Sequence, residues 1–221
     1  MQSVISSSLE IEDLCELLIK QTNSAFPDGH ALQHTIVQSS ARIALQRLEY
    51  CFSKIDIKYF YDGKRPVFDH LNSDHYAMWL YWMSNQLYKD GAPLNWSKKV
   101  FLLNKMMHGC DIFYEVELPS IFLLVHPLGA VLGRGDYQDY LMVYQRTSIG
   151  SNHNKYPQLG KYLTLRPGSS ILGNCQVGEN VTIAAESLVI DRSLESNTVY
   201  FGAPNKHSIR QKKSTEIVWR K

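Results

Sequence analysis

Among the side chains of this chain that could do chemistry, His126 stands apart. It sits in Leu124-Val125-His126-Pro127-Leu128-Gly129-Ala130-Val131-Leu132-Gly133, directly after an apolar position of a repeating series. An imidazole titrates near neutrality, so it can take the proton from a hydroxyl as that hydroxyl attacks an activated carbonyl. The oxyanion formed in such an attack needs donors, and glycine-rich chain corners can present backbone N–H groups at close range. The periodicity by itself also allows His126 to be an ordinary outward turn residue. Other chemistries have no signature here: there is no P-loop, no GxGxxG ahead of a helix, no HExxH and no GxSxG. The four cysteines, Cys15, Cys51, Cys110 and Cys175, form no CxxC pair. They read as buried or idle thiols of a reducing compartment rather than as disulfides or metal ligands.

The element that must position such an imidazole is a repeat. Leu159, Leu165, Ile171, Val177, Ile183 and Val189 follow one another at intervals of six residues, and Val125, Val131, Tyr137, Val143 and Ile149 keep the same interval upstream. The two runs stand ten residues apart, which leaves room for a loop near Ser151–Gln158. Four residues after the apolar position the site is usually small, as at Ser169, Cys175, Ser187 and Ser193. An α-helix repeats its apolar residues every three or four positions and a half-buried strand every two. A period of six, rich in β-branched residues and glycine, predicts a chain coiled into a prism. Each hexapeptide makes one short strand and one corner, three make a turn, and every turn buries its apolar residues against those above and below. The expected architecture is a parallel β-helix.

Residues 1–112 read as an all-helical domain. Helices are predicted over 7–25, with Ser7 and Glu10 at capping-box spacing, over 31–54, from a cap at Asn72 or Ser73 to Tyr88, and over 93–108. Residues 55–71 read as loop. The aromatic and methionine stripes, such as Tyr76, Trp79, Leu80 and Met83, suit a core or a subunit contact. Residues 113–205 form the predicted solenoid and 206–221 a basic tail, which carries six basic residues and one acidic. Such a tail is either simply solvated or an attractor of a phosphate-bearing ligand. A formal net charge of +2 gives no basic face for nucleic acid. Met1–Ile5 shows no basic region followed by an apolar run, and no stretch of the chain is apolar for long enough to span a membrane. A cytoplasmic protein with no nucleic-acid partner and no membrane span is expected.

The segment from His75 to Ile209 resembles the serine O-acetyltransferases and their relatives among the hexapeptide acyltransferases, some of them from polysaccharide-biosynthesis clusters. The decapeptide around His126 is similar to the family's Leu-Asp-His-Ala-Thr-Gly-Ile-Val-Ile-Gly and to the His-Pro-Gly-Gly-Ile-Val-Ile of the polysaccharide members. Pro167-Gly168-Ser169-Ser170-Ile171-Leu172-Gly173-Asn174 resembles its Ala-Gly-Ala-Lys-Ile-Leu-Gly-Asn, and Gly202-Ala203-Pro204 its closing Gly-Val-Pro or Gly-Asn-Pro. His75-Tyr76-Ala77 is similar to a His-Ala-Leu helix and makes His75 a candidate substrate contact.

The resemblance implies a helical N-terminal domain followed by a left-handed parallel β-helix, and transfer of an acetyl group from acetyl-CoA without a metal. It makes His126 the catalytic base. Glu117, in a Val116-Glu117-Leu118 similar to the family's Val-Asp-Ile, becomes the carboxylate that orients the imidazole. Glu117 lies nine residues before His126, about one hexapeptide closer than in the family. The acetyl-CoA arm is expected near Gly168, Ser169, Ala184, Ala185, Gly202 and Ala203, with Lys206 and Arg210 near its phosphates by charge alone. The family assembles as trimers with sites between subunits, and a homotrimer or a dimer of trimers is expected. Two residues of the family's acceptor site differ: its Asp before the catalytic His is Val125, and its His before Pro is Tyr156 in Lys155-Tyr156-Pro157. His153 either replaces that His or is an exposed loop residue. A neutral, apolar Val does not recognise an ammonium, so the expected acceptor is a sugar hydroxyl on a nucleotide-sugar, a lipid-linked intermediate or a glycan. Serine O-acetylation for cysteine biosynthesis, acylation of a sugar amine, and a scaffold with an eroded site remain the alternatives.

Overall fold

The structure, a computed structural model, describes residues 5–220; the stretch 1–4 read for a leader, and Lys221, lie outside it. The chain forms two compact units. One comprises the residues up to His108 with Phe113–Glu115 and Arg220, the other Gly109–Ile112 and Val116–Trp219.

In the first unit, β1 (Ser6–Ser7), α1 (Ile11–Ala25), α2 (His34–Phe52), β2 (Val67–Phe68), α3 (Ser73–Lys89) and α4 (Leu94–His108) follow in order. Asn72 caps α3 as its position predicts, its side chain accepting from the N–H groups of Asp74 and His75. Ser7 does not cap α1. It pairs instead with Phe68 in a short parallel ladder, and α1 begins later, after Glu10. The predicted loop 55–71 thus supplies a strand. Every residue of α3 from Asp74 to Leu87 is buried, so the expected one-sided stripe is a helix enclosed all round. Its polar groups must find partners inside. Arg47 donates to Asn85 Oδ1 at 2.9 Å and to Gln86 Oε1 at 3.1 Å, with its guanidinium 3.9 Å above the Trp82 ring. Asn85 Nδ2 donates to the Tyr114 carbonyl and Asn104 Nδ2 to that of Ala77.

The second unit is the predicted solenoid. After β3 (Asp111–Ile112), the first coil is β4 (Phe122–Val125), β5 (Val131–Leu132) and β6 (Asp136–Tyr137). The second is β7 (Leu141–Tyr144), β8 (Ser148–Gly150) and β9 (Gln158–Leu159), and the third β10 (Thr164–Leu165), β11 (Ser170–Leu172) and β12 (Gln176–Val177). Then come β13 (Thr182–Ile183), β14 (Leu188–Ile190), β15 (Thr198–Ala203) and β16 (Lys206–Gln211). Strands of successive coils stack into sheets ordered β16-β15-β13-β10-β7-β4, β14-β11-β8-β5-β3 and β12-β9-β6. The coil-to-coil pairings are parallel, and the β15–β16 hairpin is antiparallel.

Leu159, Leu165, Ile171, Val177, Ile183 and Val189 all point into the prism and are buried, and the small sites Ser169, Cys175 and Ser187 are buried beside them. Upstream the six-residue series fails in the first coil. Val125 is only half-buried and Val131 is 45% exposed, while Leu124 and Leu132 fill the core. The cause is the corner between them. Leu128 N–H donates to the His126 carbonyl and Ala130 N–H to that of Pro127, and His126 and Gly129 both take left-handed backbone angles. This corner is longer than a hexapeptide allows, and a shift of one residue turns a strand's other set of side chains inward.

The C-terminal tail is not loose. Residues 206–211 form β16, Lys212 N–H donates to the Asn197 carbonyl, and Trp219 meets Tyr140 edge-on at 5.5 Å, where Tyr140 stacks on Tyr162. Residues 212–219 therefore run back along the outer side of the β4–β15 sheet. No helix among the described residues is long and apolar enough to cross a membrane.

Candidate active site

His126 follows β4 at a corner of the first coil, exposed, with φ of 49°. A non-glycine residue in the left-handed region is uncommon and marks a position held by its surroundings. The ladder fixes what stands beside it. Val125 pairs with Tyr144 of the next coil, and the next backbone link is from Arg146 N–H to the Leu128 carbonyl, so Gln145 spans the stretch that His126 and Pro127 occupy in the first coil. The Gln145 Oε1 is buried without a hydrogen-bond partner. A buried carboxamide oxygen left unpaired is costly and calls for an explanation. Gln145 drew no attention in the sequence because it falls on no repeat position. Its proximity to His126 follows only from the strand register.

The corner ladder above holds the residues expected along the acetyl-CoA arm. Gly129, Arg146, Gly168 and Glu186 take left-handed angles at this edge in successive coils. Ala185 is exposed and Gly168 and Ala184 half-exposed, but Ser169 is buried. The backbone N–H groups here are committed inside the solenoid. Those of Gly168, Ser169 and Ala184 donate to Gln145, Arg166 and Tyr200, and that of Gly202 donates to Ser187 Oγ. The corner at His126 is committed too: Gly129 N–H donates to Gly109 and Ala130 N–H to Pro127. These amides cannot serve a ligand or an oxyanion, contrary to the expectation from glycine-rich corners. Carbonyl oxygens keep a second lone pair, so what this edge can offer a ligand is acceptors. Gly202 and Ala203 lie in the hairpin opposite His207 and Lys206. Arg210 stacks 5.1 Å above the Phe201 ring.

The remaining expected residues are dispersed. The loop after β8 is a tight turn in which Asn152 and Lys155 exchange backbone hydrogen bonds, with His153 and Asn154 at φ of 47° and 58°. Two successive left-handed residues make a hairpin turn that twists with its strands. Tyr156 follows, 42% exposed. This loop occupies the corner after the β5–β8–β11 face, and His126 the corner before it, so one chain does not bring them together. Glu117 is exposed in the irregular lead between β3 and β4, outside the strand ladder. His75 belongs to a core instead of a substrate site. It is 1% exposed, its ring lies 5.0 Å from Phe52 and 4.3 Å from Phe60, and its Nδ1 accepts from Asp69 N–H. Burial pushes its pKa down to about 4, so it is neutral at pH 7. The four cysteines are buried free thiols, and burial pushes Cys15 up to about 11 and Cys110 up to about 12.

No family model matches the chain. Among known proteins, a serine acetyltransferase of Staphylococcus epidermidis is 26% identical over 141 residues, 62% of this chain and 65% of that protein. One of Synechococcus elongatus is 29% identical over 109 residues, 47% of this chain and 44% of the relative. The chain thus covers less than two thirds of the length of either relative. In solved structures the likeness is broader. Neisseria gonorrhoeae serine acetyltransferase superimposes with a TM-score of 0.70 at 20% identity, covering 93% of this chain and 82% of that one. The Brucella abortus enzyme in complex with coenzyme A does so with a TM-score of 0.70 at 20% identity, covering 95% and 85%. The fold is that of the serine acetyltransferases. These matches carry serine in their names, and a sugar or polysaccharide acceptor, expected from Val125 and Tyr156, finds no support among them.

Proposed function

We propose that the chain is an acetyl-CoA-dependent O-acetyltransferase with His126 as general base and serine, or a close hydroxy-carboxylate, as acceptor. The observation that carries this reading is the exposed imidazole at a strained corner beside Gln145, in a fold shared with serine acetyltransferases. The acceptor hydroxyl gives its proton to the imidazole as its oxygen bonds to the thioester carbon. The carbonyl oxygen gains charge in that step and needs a donor. With those corner amides committed, we assign the donor role to the Nε2 amide of Gln145; its Oε1, buried without a partner, can only accept. The C–S bond then breaks, and the imidazolium returns its proton to the departing thiolate. Acetyl-CoA supplies the activated acyl group. On this chain its arm would follow the carbonyl-lined edge at Gly168, Ser169, Ala184 and Ala185, with Lys206 and Arg210 available to its phosphates.

Serine replaces the sugar acceptor because the similar proteins are named for it. Val125 still offers nothing to an ammonium. The separation of the His126 corner from the loop bearing His153 and Tyr156 favours an oligomer, in which a second copy supplies that loop. We take the assembly as a trimer. Thiol release from acetyl-CoA, measured with L-serine, sugars and amino sugars, tests the reading. Turnover with L-serine is expected; turnover only with sugars or amino sugars overturns the acceptor, and none with any acceptor overturns the transfer.

A further inference from the structure

The helical unit holds a cavity that the transfer chemistry does not touch. Its volume is about 400 Å³, inside the range of small-molecule sites. One wall is a face of α2 and its cap, where Gln46, Glu49, Tyr50 and Ser53 stand three and four residues apart. Another is the turn before β2, from Tyr61 to Pro66. That turn is preformed. Asp62 Oδ1 accepts from the N–H groups of Lys64 and Arg65 at 2.8 Å and 2.9 Å, and the Tyr61 hydroxyl donates to the Lys64 carbonyl. Arg220 completes the lining, its N–H donating to the Lys54 carbonyl and its guanidinium 3.5 Å above the Tyr61 ring.

The charges around this cavity favour an anion. Neither Lys64 nor Arg220 has an ion pair among the described residues, and the Lys54 ammonium lies 5.6 Å from the centre of the Tyr50 ring. Of the acids, Glu49 accepts from Ile5 N–H at 3.3 Å, and Asp62 is turned into its own loop. Bare carbonyls at a helix C-terminus would oppose an anion. Here those of Glu49, Tyr50, Cys51 and Phe52 all accept hydrogen bonds, from Ser53 N–H, Ser53 Oγ, Lys54 N–H and Ile55 N–H. The side chains therefore set the sign. Tyr50 is 51% exposed and offers an aromatic face on which a base can stack. The Gln46 carboxamide can both donate to and accept from a base edge. Guanidinium and ammonium groups suit phosphate oxygens. We propose that this cavity is a nucleoside-phosphate site, with the base on Tyr50 and Gln46 and the phosphate held by Lys64 and Arg220. The inference stands apart from the acetyl-transfer reading, since it uses none of the residues of that site.

Calorimetric titration of the full chain with AMP, adenosine and inorganic phosphate tests the site, in wild type and in Arg220→Gln, Lys64→Gln and Tyr50→Leu. AMP is expected to bind one to one, and adenosine and phosphate each at least about tenfold more weakly. Arg220→Gln and Lys64→Gln each weaken AMP by about tenfold, and Tyr50→Leu weakens it by about fivefold or more. Tyr50 and Lys64 are exposed, so their variants keep the wild-type thermal midpoint, and acetyl-CoA affinity is unchanged in all three. No binding of AMP, or binding that ignores all three substitutions, overturns the proposal. Inorganic phosphate bound as tightly as AMP removes the base from the site and overturns it as well. A loss of acetyl-CoA affinity equal to that of AMP would mean that one nucleotide site serves both, and would contradict a separate cavity.

Discussion

The guanidinium of Arg146 and the carboxylate of Glu186, forty residues apart in sequence, meet across the Gly168 corner. A Cβ on Gly168 would stand 2.5 Å from the Glu186 carboxylate oxygens, and Gly168 itself has φ of 72°. Glu186 in turn holds a left-handed angle, φ of 56°. The pair thus links two coils over the one residue type that leaves room for it, on the edge expected to meet the acetyl-CoA arm.

Two substitutions separate strain from charge at this edge. Gly168→Ala should cost about 1–2 kcal/mol from its left-handed backbone alone, whether or not the exposed Glu186 side chain swings clear. Glu186→Gly removes a similar strain and loses only a surface ion pair, 61% and 64% exposed, which contributes little. It is expected to leave stability unchanged or raise it. Urea midpoints of the two variants check both directions.

The His75 cage gives the helical unit a pH dependence of known sign. The unfolded imidazole titrates near 6.5 and the folded one at about 4, so between those values the unfolded chain binds more protons and stability rises with pH. The contribution is complete above pH 6.5 and is lost as pH falls towards 4. At pH 5 the loss is about 2 kcal/mol from this residue. Denaturation at pH 7 and pH 5 should show a smaller drop for His75→Phe than for wild type. An equal drop would assign the acid sensitivity to other groups.

The loop after β8 is tied to the next coil by Asp191 and to the preceding one by the Pro157 carbonyl, which accepts from Asp136 N–H. Asp191 accepts from Asn152 Nδ2 at 2.6 Å and from Asn174 N–H at 2.7 Å, and these bonds hold its carboxyl below the usual range. Asp191→Ala should speed hydrogen exchange at Asn152 and Lys155, whose amides close the turn on each other. If His153 or Tyr156 takes part in acceptor binding, the KM for the acceptor rises with it. Exchange at wild-type rates would mean that the turn holds itself.

Much of this was legible in the chain, for physical reasons. Six-residue periodicity predicts a coiled prism because each repeat has one residue that must point inward, and Leu159 to Val189 do so. The first coil escaped, since its corner at His126–Ala130 is longer than the period and turns Leu124 and Leu132 inward in place of Val125 and Val131. Asn72 declares its cap through its own side chain, but Ser7 has the same credentials and is taken by a strand pairing with Phe68. His126 could be picked out because an imidazole is conspicuous at a corner. Gln145 could not, because its relation to His126 lies across coils, 19 residues along the chain. The tail's basic composition suggested solvation, whereas Trp219 and Glu216 anchor it to the prism.

The most direct measurement is the rate of thiol release from acetyl-CoA with L-serine in wild type and His126→Ala, together with the acetyl-CoA affinity of each. If the imidazole is the base, kcat falls by about 10²–10⁴ while acetyl-CoA still binds, because a corner residue lost from the surface leaves the coil intact. Turnover at the wild-type rate in His126→Ala would contradict the account.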